Sequence, residues 1–416
     1  MQHCDILIVP RWCVPVIPAG TVLEGHAVAV SDGRIDAILP LGEAQARFQP
    51  SALVERPQHV LIPGLINAHT HAAMTLFRGL ADDLRLEAWL REHIWPAERR
   101  WVSPEMVRDG AELAIAEMLR GGTTCFGDQY FFPEIVAQAA TDLAMRAVIA
   151  TPVADFRSSW AADAGEYLQK ATDLVHDPYA DHPLITTAFA PHSTFAMSDE
   201  SFADLRVLAD QLDLRVQIHL HESAAEIRDS LRDTRKRPFE RLDQAGLVNR
   251  SLLAVHCVHL DDEETARFAA AGVSIAHCPK SNLKLASGIA PVAKFRSAGI
   301  NVALGTDGAA SNNLLDMFSE MQTAALLGKT AADDPTAVSA QDALEMATIG
   351  GARALGLARS IGSLEQGKLA DLVCVDLDRF NSRPMYDVVS QLVFATHSTQ
   401  GSVVWVGGRH QLEEGR

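Results

Sequence analysis

The sequence has no closely spaced cysteine pair. Its six cysteines (Cys4, Cys13, Cys125, Cys257, Cys278 and Cys374) are scattered over 416 residues, several inside apolar runs, where a thiol behaves as a small buried hydrophobe. They are read as reduced and structural. No apolar run approaches the length of a membrane span, and the opening "MQHCDILIVPRWCVPVIPAG" lacks the basic-then-apolar layout of a signal peptide, so the cytoplasm is the expected compartment. Positive charge is also scarce: 36 Lys and Arg face 53 Asp and Glu, for a formal net charge of −17, and "RDTRKR" at 232–237 is the one local basic run. Such a surface repels phosphate backbones and anionic lipid, so neither nucleic acid nor a membrane is expected as a partner. A nucleotide-type Gly-x-Gly-x-x-Gly after an early strand is missing, as are internal repeats and low-complexity tracts.

What is present reads as an ordinary globular chain, 48% hydrophobic and 21% charged, long enough for a large domain plus a modest second one. From Pro63 onward, eight short apolar, β-branched segments recur: 64–71, 121–128, 145–153, 184–193, 214–222, 252–260, 273–282 and 300–308. Between most of them lie stretches with helical periodicity, such as "PEMVRDGAELAIAEMLRGG" (104–122), which stops at Gly-Gly. Eight buried strands alternating with helices predict an α/β fold, a (β/α)8 TIM-like barrel, in preference to an open doubly wound sheet. The flanks differ. "HAVAV" and "RIDAIL" around a "SDGR" turn, and "ADLVCVD" and "GSVVWVGGRHQL" near the other end, read as strands and hairpins. Residues 1–62 and 362–416 are therefore expected to pair into one small β-sandwich domain beside a barrel spanning 63–361.

Chemistry-bearing residues gather at the strand ends. Residues two apart on a strand face one side, so His69 and His71 in "PGLINAHTHAAM" aim two imidazoles into one space at the C-terminal mouth of the first barrel strand. The fifth strand closes with "HLHE" (His219, His221, Glu222), the eighth with "GTDG" (Asp307), the fourth with His192 and the sixth with His256. Period-two geometry does not choose between His219 and His221. Neutral imidazoles plus a carboxylate suit a borderline divalent ion with one position left to water, which favours zinc, although iron, manganese or nickel accept similar ligands. A water coordinated there ionises near neutral pH, and a nearby carboxylate can relay its proton, which predicts hydrolytic attack on an electrophilic carbon.

"PGLINAHTHAAMTLFRGLADD", "HLHESAAEI", "AHCPKSNLKLASGIAP" and "LGTDGAASNN" resemble the amidohydrolase superfamily over essentially the whole chain. The likeness is greatest to its 5′-methylthioadenosine/S-adenosylhomocysteine deaminases, relatives of guanine deaminase and the triazine hydrolases. The resemblance implies one divalent metal per subunit, held by His69, His71, His219 and Asp307, with the family's H-x-x-E pattern selecting His219 and making Glu222 the proton shuttle. It implies that His256 meets the nucleophilic water or the departing group, and leaves His259 and His277 as structure. In the insertion "LEAWLREHIWPAE" (86–98), it implies that Trp89 offers a flat face to a purine and Glu98 accepts from a ribose diol, with His192 contacting the nucleoside. An arginine is expected to meet the amino-acid carboxylate of S-adenosylhomocysteine; Arg157 in "DFRSSW" is the nearest candidate, and if it points elsewhere the thioether nucleoside becomes the favoured substrate. The implied reaction is attack at C6 of adenine with Glu222 protonating N1, while Asp307 and His256 manage the proton that leaves with ammonia. A homo-oligomer, dimer or tetramer, is the family expectation.

Three alternatives follow from the same residues. A different aminated or halogenated ring, guanine or a triazine, would share the metal and Glu222 and differ in the pocket. A metal-free scaffold would lack ligands that are all present here. A nucleic-acid deaminase would carry an H-x-E helix and a P-C-x-x-C pair, neither of which is assembled in this chain.

Overall fold

The computed structural model describes residues 1–413, so the last three positions of the expected 362–416 segment lie outside the described residues. Eight parallel strands coincide with the eight apolar segments: strand one Leu65–Thr70, two Thr123–Asp128, three Arg146–Val153, four Ile185–Pro191, five Arg215–Leu220, six Leu252–His256, seven Ser274–His277 and eight Asn301–Leu304. They neighbour one another in sequence order. All but the two end residues Arg215 and Asn301 and the outward Thr186 are buried, as parallel strands covered on both faces must be. The ring closes without a regular ladder between strands eight and one. Instead the Asp307 N–H donates to the His69 carbonyl at 3.0 Å. At Gly305 a Cβ would lie 2.9 Å from the His69 backbone, so only glycine admits this approach.

The expected helix at 104–122 is Pro104–Arg120. Ser103 caps it by accepting from the Met106 N–H, proline opens its first turn, and Val107, Gly110, Ala111, Ala114, Ile115 and Met118 form its buried stripe. Gly122, with φ of +78°, ends it. Gly110 lets the turn after strand one pack closely, since a Cβ there would sit 2.4 Å from the Ala73 carbonyl oxygen. The insertion at 86–98 is helical throughout, with a π-helical turn at Trp89–Ile94 leading into a helix at Trp95–Trp101.

The terminal segments form one mixed sheet. Residues 48–63 pair parallel with 2–13 on one side and antiparallel with 372–376 on the other, joining both ends of the chain. The "SDGR" turn connects His26–Ser31 to Arg34–Pro40 with left-handed Asp32 and Gly33, the geometry a two-residue hairpin needs. A second glycine turn, Gly407-Gly408, joins Gly401–Val406 to Arg409–Glu413. These two turns belong to opposite edges of the sheet yet touch: a Cβ on Gly408 would lie 2.8 Å from Gly33 Cα. The sheet thus curls into a sandwich-like body over one apolar cluster that includes Ile8, Val28, Ile35, Leu61, Leu372 and Trp405.

A buried ion pair links this body to the barrel. Arg146, at the start of strand three, binds Asp371 through Nε at 2.7 Å and a second guanidinium nitrogen at 3.0 Å, and donates to the Pro183 carbonyl. Asp371 also accepts the Gly407 N–H at 2.7 Å. Among the described residues, no helix is long and apolar enough to cross a membrane. Because removing one partner strands a buried charge, Asp371→Ala should cost about 3–5 kcal/mol. Denaturant unfolding with separate barrel and sheet probes checks this, and a variant as stable as the parent would remove the pair from the fold's support.

Candidate active site

The C-terminal mouth of the barrel collects four imidazoles around one carboxylate. His69 is fully buried on strand one, and His71 follows its end, directly before the 3-10 turn Ala72–Phe77. Their Nε2 atoms lie 3.5 Å and 3.1 Å from Asp307 Oδ1. His219 Nε2, from strand five, is 3.2 Å from His69 Nε2. His256 ends strand six and stacks on His219 with ring centroids 5.5 Å apart. His69, His219, His256 and Asp307 each offer a ligand atom within 4.8 Å of all the others.

Hydrogen bonds behind the cluster orient it. His71 Nδ1 donates to the Gln129 carbonyl, His219 Nδ1 to the His192 carbonyl at 2.7 Å, and His256 Nδ1 to Asn282 Oδ1 at 2.9 Å. Each Nε2 lone pair is thereby turned to the interior, the arrangement that second partners impose on metal-binding histidines. The Gln217 amide sits 2.9 Å from His69 Nδ1. Asp307 Oδ2 accepts from Ser281 and Ser311 hydroxyls at 2.6 and 2.7 Å, which leaves Oδ1 to the histidines. Burial holds His69 and His192 down to about 4 and His219 well below the ordinary imidazole range, so these rings are neutral at pH 7. Burial disfavours charge on His71 too, but the adjacent Asp307 outweighs it and holds that ring up to about 9. This buried set of imidazole lone pairs facing one ionised oxygen fits a borderline divalent cation, and the donors are those of a divalent-metal site.

Glu222 follows strand five, with its Oε2 3.8 Å from His256 Nε2 and its side chain 15% exposed. Burial pushes its carboxyl above the usual carboxylate range, against the opposing charge effect of His256. Its backbone N–H donates to Glu226 at 2.9 Å, while Ser223 caps the helix Ala224–Thr234. His221 does not share the space of His219. Strand five ends at Leu220, and a φ of +52° at His221 breaks the alternation. Its Nε2 accepts the Phe239 N–H at 3.2 Å and its Nδ1 lies 3.4 Å from Glu264. His277 is likewise buried, away from the ligand atoms that converge.

The remaining sequence-derived residues divide. The His192 ring lies 5.1 Å from that of His219, at the inner edge of the mouth. Trp89 is 5% exposed within an apolar cluster containing Met74 and Phe77, and its indole N–H has no partner among the described residues. Glu98 accepts from the Tyr130 hydroxyl at 2.9 Å, and burial raises its carboxyl to about 7 despite that bond and nearby His71. Arg157 is exposed on the loop after strand three, and its charge acts on Glu166 of the outer helix Ala164–Lys170. Nothing among the described contacts joins it to the cluster.

Sequence reasoning missed the supporting residues: Asp128, Gln129, Tyr130, Gln217, Ser281, Asn282 and Ser311. A signal existed for some. Gln217 interrupts the apolar run "RVQIHL", and the polar triplet 128–130 begins at the last residue of a fully buried strand.

Comparison with known proteins places these features in a lineage. Residues 60–410 match the model of the amidohydrolase family. The chain is 46% identical over 409 residues to a 5-methylthioadenosine/S-adenosylhomocysteine deaminase from Teredinibacter turnerae, covering 98% of this chain and 92% of that protein. It is 44% identical to the one from Saccharophagus degradans, covering 99% and 92%. Among solved structures, an adenosine deaminase from Xanthomonas campestris with bound zinc superposes with a TM-score of 0.98 at 50% identity, covering 99% of this chain and 94% of that one. An atrazine chlorohydrolase from Arthrobacter aurescens, complexed with zinc, gives 0.91 at 26% identity, covering 99% and 96%. A parallel barrel whose mouth gathers histidines and one aspartate, joined to a sheet built from both chain ends and matched over nearly its full length, makes this chain a member of the amidohydrolase family.

Proposed function

We propose that the chain is a hydrolytic deaminase of purine nucleosides, acting on 5′-methylthioadenosine and S-adenosylhomocysteine and releasing ammonia from C6 of the adenine ring. The observation that carries this reading is the meeting of Glu222, His256 and Asp307 around the buried imidazoles, in a chain more than two-fifths identical to deaminases of those nucleosides. In this reading His69, His71, His219 and Asp307 hold one metal ion per subunit, zinc by preference. His256 also lies among the converging donors, but it is the histidine that reaches toward Glu222, whereas His71 is tied behind by Gln129 and faces Asp307. His256 is therefore assigned to the water and the departing amino group.

When bound, the ion supplies Lewis acidity that brings the ionisation of water into the neutral range. The chain's own residues do the rest. Glu222, with its carboxyl pushed above the usual carboxylate range by burial, is the group that delivers a proton to ring N1. Asp307 stays ionised, held well below the usual range by the His69 and His71 hydrogen bonds against burial, and Oδ1, the oxygen the serines leave to the cluster, takes a proton on the way to the leaving amine. Charge and geometry change most at C6, so these groups act on the rate more than on substrate affinity. Trp89 and His192 frame the base and Glu98 takes the ribose diol. Exposed Arg157 is a poor partner for a substrate carboxylate, which favours the thioether nucleoside. We assign 1–62 with 362–416 to the sheet body and 63–361 to the catalytic barrel. Six buried, unpaired cysteines support a cytoplasmic enzyme, and a homo-oligomer is assigned from the family resemblance alone.

Ammonia release across a panel should be highest with 5′-methylthioadenosine and S-adenosylhomocysteine; turnover of guanine or triazines with none of 5′-modified adenosines would overturn the substrate assignment. Glu222→Gln should retain the metal by elemental analysis yet lose about 10²–10⁴-fold in kcat. A variant turning over at near the parental rate would remove Glu222 from the mechanism. His71, held up to about 9 beside Asp307, is protonated at pH 7 without a cation and must be neutral to bind one. Metal titration by calorimetry in buffers of different ionisation enthalpy should therefore show release of about one proton per ion at pH 7. Affinity should rise with pH up to about 9 and then level off; proton-independent binding at pH 7 would exclude His71 as a ligand.

A further inference from the structure

We propose that Tyr130 is a positioning residue that fixes Glu98 relative to the histidine cluster, so that the three-residue strap 128–130 couples recognition of a ribose diol to placement of the purine over the reacting centre. This rests on the reading above in which Glu98 takes the diol. The strap runs on from the last residue of strand two and touches three parts of the site in succession. Asp128 Oδ1 accepts the Ala72 N–H at 2.7 Å, fixing the turn that begins directly after His71. Gln129 accepts from His71 Nδ1 through its carbonyl and donates its N–H to the Thr70 carbonyl at 3.0 Å. Tyr130 then donates its hydroxyl to Glu98 Oε1 at 2.9 Å.

Tyr130 is built to hold one position. It is 4% exposed, with ring centroids 5.6 Å from Phe131 and 6.4 Å from His71. Packed rings of this kind do not swing, so the hydroxyl is a fixed point measured from the metal-facing histidine. Glu98 sits on the helix Trp95–Trp101, part of an insertion whose preceding π-helical turn departs from regular helix. A carboxylate there would sample several rotamers. The Tyr130 hydroxyl donated to Oε1 selects one of them and leaves the second oxygen for a ligand. A common strap thus fixes the diol-binding carboxyl in the same frame as the histidine cluster, so that diol contact and base position are set together.

The test uses metal-loaded enzyme with adenosine and with 2′,3′-dideoxyadenosine, which lacks the diol. Tyr130→Phe should raise KM for adenosine about tenfold, near 1.4 kcal/mol, with kcat and metal content close to parental values and KM for the dideoxy compound unchanged. Combined with Glu98→Gln it should add little, because the two side chains act as one unit. A parent that prefers the diol, with a Tyr130→Phe variant that keeps the same preference or loses affinity for both nucleosides equally, overturns the inference alone. A parent that deaminates neither nucleoside overturns the deaminase reading and this inference with it.

Discussion

The site depends on one electrostatic constraint: several imidazoles and a carboxylate are confined together where little water can reach them. Burial drives His69 and His219 to their neutral forms, while Asp307 holds His71 up to about 9, and the charge on Asp307 is tolerated because His69 and His71 face one oxygen and two serine hydroxyls hold the other. Every imidazole used this way must have its outer nitrogen satisfied from behind. Gln129, His192 and Asn282 perform that task through two backbone carbonyls and one side-chain amide.

That constraint reaches into the backbone. His221, His256 and Asp307 all adopt left-handed φ angles at or just after the ends of their strands, conformations that non-glycine residues avoid. The surroundings over-determine them. Asp307 donates its N–H to His69 and accepts from Thr70 at its carbonyl, while the residue after His256 donates to Leu220 and His259 donates to His221. Cross-strand bonds at the mouth therefore hold each kink, and each kink re-aims a side chain that plain alternation would place elsewhere. Far from this mouth, the Arg146–Asp371 pair ties strand three to the sheet that both chain ends build. The barrel brings those ends together, and the sheet in return covers its neighbour.

Much of the architecture was legible because it rests on local pattern. Eight apolar runs became eight strands, since a strand covered on both faces must be apolar along its length. The hairpins at 31–34 and 407–408 were readable from their glycines. That His69, His71 and Asp307 lie at one rim followed from strand ends, whereas the choice of His219 over His221 came from the family resemblance. Alternation was misleading at His221, because the period of two holds only while the strand lasts, and the left-handed turn after Leu220 sends that ring toward Glu264. Arg157 was chosen by position along the chain, and lies in solvent.

By itself, then, the order of amino acids determined the barrel, the pairing of the two ends, and that histidines and acids gather at the rim, since periodicity and strand termini are properties of short stretches. Only the folded chain decided which nitrogen of each ring faces inward, which oxygen of Asp307 faces the histidines, and that Tyr130 reaches Glu98 across 32 residues. Those choices depend on hydrogen bonds between distant segments, and a bond of that kind leaves no trace in the spacing of either partner.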